Sequence, residues 1–261
     1  MKNLAARIQS FSYRADWLGS VMRSQPAAAL FLLRSKFDRM QTGTGYCGGF
    51  PFVFRGCDVN AVQEVLVDNE YGFLRSLLEG ADSPRILDIG THIGLFSLWA
   101  LSVNPRAQIF SVEASPDTFV VLEENIGRAQ KIIPAIAWRA VNRAAWSNSE
   151  PIRFSSSGDS MSHRVSSTGS ADVRGMTLRE VMETGFPQKT IDLMKIDIEG
   201  AEEEFICAMP DLLKAVNSLV IELHPNLCNT ARVEGVLQEA FSTIETVAGR
   251  TSSKPLLYCR K

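Results

Sequence analysis

Short apolar runs, several of them ending on an acidic residue, alternate along this chain with segments whose apolar positions recur at helical spacing. Ile86 to Ile89, Gln108 to Val112, Trp138 to Val141, Ile191 to Ile198 and Ser218 to Leu223 read as buried strands. Helices fall between them. One begins near Gly94, and one runs from Ser115, with Pro116 at its first position, to about Ala129. Others run from Thr177 to about Thr184, Gly200 to Met209 and Ala231 to Phe241. This β-α alternation predicts an α/β fold with a mostly parallel, doubly wound sheet. Thr243 to Val247 and Pro255 to Cys259, joined by GRTSSK, predict a closing hairpin.

The flanks of this pattern differ in texture. Leu4, Ile8, Phe11, Leu18 and Val21 give a helical N-terminus with a break at Pro26, and a second helical piece follows from Ala27 to Met40. Such a segment packs on the main domain or covers its ligand cleft. Arg23, Arg34, Lys36 and Arg39 also suit a membrane-surface or partner-binding helix. QTGTGYCGG, residues 41 to 49, reads as a glycine-rich joint, Phe50 to Phe54 as a strand, and Asn60 with Gln63 as the start of a helix from Ala61 to Leu78. The predicted organisation is a helical extension over residues 1–49 and one domain over 50–261. Trp146 to Arg174 is dense in serine and reads as a long surface loop of the substrate-lid kind, with a small strand at Pro151 to Phe154. His163 within it reads as a solvated loop residue that could reach a substrate.

Composition narrows the class. At 261 residues, with 45% hydrophobic and 21% charged residues, the chain has ample material for one large globular domain. A formal net charge of -2 gives no general pull toward nucleic acid. Five scattered cysteines without a C-x-x-C pair read as reduced thiols, with no zinc site or disulfide framework. Arg7, Arg14 and Asp16 interrupt what would be a signal-peptide core, and Ala27 to Leu33 is too short to span a bilayer. The expected location is therefore the cytoplasm. A homo-oligomer is compatible with all of this.

Candidate chemistry collects at strand ends, where open α/β sheets bind ligands. In RILDIGTHIG, Asp88 closes the first strand, and Gly90 and Gly94 bracket a turn, through Thr91, into a helix. The middle glycine of a dinucleotide fingerprint is missing, and a carboxylate before the turn repels a pyrophosphate. It suits a cationic amino group, such as the methionine end of S-adenosylmethionine. Glu113, about 25 residues after Asp88, stands where a carboxylate accepts hydrogen bonds from a ribose diol. Asn142 to Ala144 follows the third strand, where a loop could edge an adenine. In DLMKIDIEGAE, strand alternation puts Lys195, Asp197 and Glu199 on one face before a helix carrying Glu202 and Glu203. A purely structural pairing of Lys195 with these acids is the alternative. Glu222 and His224 share a side of the fifth strand's end, so His224 reads either as a general base for a hydroxyl or as a structural cap.

Five segments together, DIGTHIG (88–94), VEASP (112–116), TL (177–178), KIDIEGAEEEF (195–205) and IELHP (221–225), resemble the FkbM family of S-adenosylmethionine-dependent methyltransferases. FRGCDVNAVQEVLVDNEY, residues 54–71, is similar to the family's segment before the first strand, so the resemblance covers roughly residues 52–225. The chain departs from the family at Thr91-His92, commonly alanine-asparagine, and at Arg179, commonly aspartate. The resemblance implies a Rossmann-like class I methyltransferase sheet with a C-terminal antiparallel hairpin. It also implies methyl transfer to an oxygen, often a hydroxyl of a sugar or natural product. Asp88, Gly90, Thr91, Gly94, Glu113, Asn142 and Asp197 are then expected at the cofactor, and His224, Glu199 and Asp197 at the acceptor. A metal bridging Asp197 and Glu199 is compatible with this, but no ligand set in the sequence demands one. The competing classes are an NAD-dependent oxidoreductase or epimerase and a non-catalytic binding protein.

Overall fold

The computed structural model describes residues 2–155, 164–165, 171–247 and 254–261. Two N-terminal helices, α1 (Lys2–Met22) and α2 (Gln25–Ser35), lead into a hairpin of β1 (Thr42–Cys47) and β2 (Phe50–Arg55). Short helices α3 (Val59–Val62) and α4 (Arg75–Gly80) follow. The β-α succession then runs β3 (Arg85–Ile89), α5 (Leu95–Val103), β4 (Gln108–Glu113), α6 (Pro116–Ile132) and β5 (Ala137–Asn142). An accessory sheet comprises β6 (Ala144–Ala145), β7 (Pro151–Ser155), β8 (Arg164–Val165) and β9 (Ala171–Met176). The chain continues through α7 (Leu178–Gly185), β10 (Ile191–Ile196), α8 (Glu202–Ile206), β11 (Val216–Glu222), α9 (Thr230–Ala240), β12 (Thr243–Thr246) and β13 (Leu256–Arg260).

The central sheet is ordered β12-β13-β11-β10-β3-β4-β5. Five consecutive strands, β11 to the edge strand β5, run parallel, and β13 enters antiparallel beside β11 while pairing with β12 as a hairpin. The doubly wound sheet and the closing hairpin are thus as predicted. Strand order reverses between β3 and β10, so the carboxyl ends of these two strands open a crevice at the switch point.

Apolar layers on both faces hold this frame. One contains Leu18, Phe31, Phe52, Phe54, Leu98 and Trp138, and the other Phe110, Val181, Phe205, Leu219 and Leu237. Each such side chain, fully buried, contributes about 1.5–3 kcal/mol. The N-terminal helices therefore pack on the sheet's helical layer, and among the described residues none of theirs lines the cleft described below.

Local departures from the predicted elements have physical causes. Residues 42–47 form a strand rather than a joint, because Gly43 and Gly45 leave space for aromatic rings. A Cβ at Gly43 would stand 3.0 Å from Phe31 and Phe54, and one at Gly45 would stand 2.5 Å from Phe52. The boundary expected at residues 49/50 falls in the turn of this hairpin. The break expected at Pro26 lies earlier, at Arg23 with φ 56°, and Ser24 caps the second helix with Pro26 in its first turn. The single helix expected over Ala61–Leu78 is broken by a π-turn at Gln63–Val67 and by Asn69, which has φ 53°. The serine-rich stretch is a small sheet where described, with Pro151↔Arg174 and Ala144↔Gly175 in register. His163 lies outside the described residues.

Candidate active site

The glycine turn after β3 is built on a buried carboxylate. Asp88 is fully buried and accepts hydrogen bonds from the hydroxyls of Thr91 (2.5 Å) and Ser97 (2.7 Å). On its other side stands the Lys195 ammonium, 3.6 Å from its Oδ1. That ammonium donates to the Gly90 carbonyl at 2.7 Å. Asp88 and Lys195 together therefore set the shape of the turn from beneath. Thr91 and Gly90 line the cleft above, whereas Asp88 does not. Gly94 also faces away from it: φ is 87°, and a Cβ there would stand 2.8 Å from Leu122 and Trp138, so this glycine lets α5 approach the core.

The next strand end braces the same turn. Glu113 accepts from the His92 amide (2.8 Å) through one oxygen and from the Ser115 amide (2.8 Å) through the other. Burial pushes the Glu113 carboxyl up, opposed by His92, these amides and Lys195. His92 itself takes φ 55°, and its ring lies 3.3 Å from Asp58. Asp58 is in turn clamped by the buried Arg55 guanidinium at 2.8 and 2.9 Å. Burial opposes its charge, yet His92 and Arg55 hold the Asp58 carboxyl well below the usual range. Asn142 uses its amide on the backbone, donating to the carbonyls of Glu113 (2.8 Å) and Ala114 (3.0 Å). It fixes the loop whose Ala114 lines the cleft, and the next residues, Arg143 to Ala145, line it directly.

The third wall comes from β10 and β11. The Asp197 amide donates to Ile89 O (3.0 Å), stitching the two switch-point strands just beyond their ends. Lys195, Asp197 and Glu199 all reach the cleft, as expected. The strand stops at Ile196, however, and Glu199 arrives there through a turn in which it has φ 50° and Gly200 φ 101°. His224 is buried behind this wall. Its Nδ1 lies 2.8 Å from Glu202, and its Nε2 lies 3.2 Å from Glu199 and 3.3 Å from Glu222. Burial disfavours the charged ring, but Glu199 and Glu202 outweigh it and push the imidazole up to about 10. Lys254 bridges Glu199 (3.3 Å) and Glu222 (3.2 Å) from the solvent side.

These walls line an open cleft whose empty space, including its solvent-open mouth, is about 950 Å³. Its remaining side is the irregular segment after β2, through Ala61, Val65 and Tyr71, with Phe96 from α5. Sequence reasoning gave that segment to a plain helix and assigned it no role at the cleft. The Asn60-Gln63 cap pattern conceals the π-turn that brings its side chains over the crevice. Glu202 was placed on its helix but not recognised as the partner of His224, a contact that joins α8 to the end of β11 and has no local sequence signal.

A mostly parallel sheet with its last strand inserted antiparallel, and a glycine turn facing an acidic strand end across the switch point, defines a class I, Rossmann-like methyltransferase fold. Within that class the chain belongs to the FkbM methyltransferases, whose family model, the methyltransferase FkbM domain, matches residues 88–241. The chain is 30% identical over 171 residues to the hexuronic acid methyltransferase AglP of Haloferax volcanii, an alignment covering 64% of this chain and 69% of that protein. It also resembles in fold the crystal structure of methyltransferase FkbM from Methylobacillus flagellatus, with a TM-score of 0.50 and 14% identity. That match covers 68% of this chain and 44% of the other, so the chain spans less than half of that protein's length. Among the described residues no helix is long and apolar enough to cross a membrane.

Proposed function

We propose that this methyltransferase uses S-adenosylmethionine to methylate an oxygen, most simply a hydroxyl, of a saccharide. The observation that carries the reading is the convergence of the Gly90 turn, Glu113 and the Asp197-Glu199 pair on one cleft at the switch point. Such a cofactor brings its own activation, a sulfonium that releases a methyl group to a nucleophile. The residues present fit it. Gly90 and Thr91 line the cleft at the turn, and Glu113 retains acceptor capacity toward the cleft beyond its two amide bonds. Tyr71, Phe96 and the small residues Ala114 and Ala144 offer apolar surface for a planar base. Among the residues expected at the cofactor, Asp88, Gly94 and Asn142 then act by shaping the loop.

At the acceptor side the chain must hold an oxygen in line and receive its proton. Asp197 and Glu199 line the cleft, which supports assigning this task to them. His224, charged and set behind Glu199, orients that carboxylate and does not itself meet the acceptor. The saccharide assignment draws on the hexuronic acid named for the Haloferax relative.

The test is calorimetric binding of S-adenosylhomocysteine, followed by transfer of labelled methyl to hexuronic acids, neutral hexoses and amino sugars. The reading requires saturable binding, lost in Glu113→Ala, and label on an oxygen of a saccharide. Absence of binding, or label only on nitrogen or carbon, overturns it.

A further inference from the structure

The Glu202 carboxylate takes three donors: Nδ1 of His224 at 2.8 Å and the Gly200 amide at 3.1 Å on Oε1, and the Cys228 thiol at 3.3 Å on Oε2. It is fully buried and is therefore a fixed acceptor. An imidazole whose Nδ1–H is held in this way can release the proton on Nε2 and offer that nitrogen's lone pair to a cation on its far side. His224 is 4% exposed, and Nε2 makes no hydrogen bond among the described residues. Its near neighbours are carboxylate oxygens, Glu199 Oε2 at 3.2 Å and Glu222 Oε1 at 3.3 Å. Nε2 and these carboxylates face one point, where a divalent cation can take the place of the Nε2 proton.

We propose that Asp197, Glu199 and His224 form a divalent-cation site on the acceptor side of the cleft. One ligand atom from each lies within 4.8 Å of the other two, so small rotamer changes bring all three to bonding distances of about 2.0–2.2 Å from one ion. Asp197 Oδ1 is a second buried atom there without a hydrogen bond. Lys254 neutralises Glu222 and the Oε1 side of Glu199, leaving Glu199 Oε2 for the ion. One imidazole with two carboxylates suits Mn²⁺ or Zn²⁺ better than the all-oxygen shell of Ca²⁺. Because Asp197 and Glu199 line the cleft, open coordination positions point into it. An ion there holds an oxygen of the acceptor, a role that rests on the function proposed above. No ligand spacing along the chain announces this site, because its residues come from two strand ends and Glu202 orients the histidine from a third element.

The test is titration of the chelator-treated full chain with Mn²⁺, followed by loss of the free-ion electron paramagnetic resonance signal, and with Zn²⁺ by calorimetry. S-adenosylhomocysteine binding is measured in parallel. One ion per chain is expected, weakened at least tenfold in both Asp197→Asn and His224→Gln and unchanged in Glu204→Gln, which alters an exposed acid on α8. Circular dichroism and the thermal melt certify the fold of each variant; if His224→Gln fails to fold, Asp197→Asn decides. Failure of both ions to bind saturably, or binding unaltered in Asp197→Asn, overturns the site and leaves the methyl-transfer reading standing. Ion binding without S-adenosylhomocysteine binding supports the site and overturns that reading.

Discussion

The Asp197 carbonyl oxygen occupies the space a side chain on Gly90 would need, since a Cβ built there falls 1.7 Å from it. The two residues directly follow the strands on either side of the switch point, and Asp197 N already bonds to Ile89 O. Gly90 also has φ 72°, which costs any L side chain about 1–2 kcal/mol before the collision is counted. Gly90→Ala must therefore push the turn and the end of β10 apart. The expected result is loss of S-adenosylhomocysteine affinity by at least tenfold, about 1.4 kcal/mol, together with a lower melting temperature. Gly49→Ala, where an added Cβ meets nothing within 4 Å, should change neither, as calorimetry and thermal melts will show.

Asp58, Arg55 and His92 couple the segment after β2 to the glycine turn. Asp58→Asn leaves a buried guanidinium without its counter-charge and should cost about 3–5 kcal/mol at pH 7. The pH dependence has a definite sign. Because the folded-state carboxyl is held below its unfolded value near 4, its contribution is present above that pH and is lost as pH falls below it. Urea denaturation at pH 7 and at successive steps below pH 4 should show the gap between wild type and Asp58→Asn closing on the acid side. A gap constant with pH would remove the charge from the explanation.

Why the sheet could be read from the sequence, and the cleft's cover could not, follows from how far each signal reaches. Ile86 to Ile89 and Gln108 to Val112 are continuous apolar runs because both faces of a parallel strand are buried, and that signal is local. Glu113 was legible because a strand-end carboxylate beside a glycine turn is again a local spacing. The strand at 42–47 was not, since its glycines answer to Phe31, Phe52 and Phe54, which other elements deliver. His224 shows both sides. Its nearness to Glu222 follows from alternation, while its hydrogen bond to Glu202 depends on where α8 docks. Asn142 was read as a cofactor contact from its position alone, and only the fold reveals that the loop's carbonyls hold its amide.

Asn125, fully buried on α6, joins two elements that the sequence does not connect. Its Oδ1 accepts from Val53 N at 2.7 Å, and its Nδ2 donates to Val53 O at 3.0 Å and Ile93 O at 2.8 Å. Asn125→Leu leaves three buried backbone groups unpaired, each costing about 1–3 kcal/mol. Asn125→Asp keeps the acceptor but turns a carboxylate toward two carbonyls. Both variants should lower the unfolding free energy measured in urea by several kcal/mol, and hydrogen exchange should rise at Val53. Protection unchanged at that amide would sink the claim that this side chain ties β2 to the helix.

Asn142 distinguishes a residue that holds the loop from one that touches the ligand. Its two donated bonds fix the Glu113 and Ala114 carbonyls, so Asn142→Ala frees the loop without altering the Glu113 carboxylate or the acids at the acceptor side. Two partly exposed hydrogen bonds are worth about 0.5–1.5 kcal/mol each, which sets an expected rise in the KM for S-adenosylmethionine of a few fold to tens of fold. The chemical step has lost nothing, so kcat should stay near wild type. Asn142→Asp should be worse than Asn142→Ala, because it replaces a donor with an acceptor facing two acceptors. Steady-state kinetics on the saccharide that accepts methyl will decide. The expected order of KM is wild type, then alanine, then aspartate, with kcat flat. A fall in kcat at unchanged KM in Asn142→Ala would instead mean that the amide meets the reacting groups, and the loop-holding role would have to be abandoned.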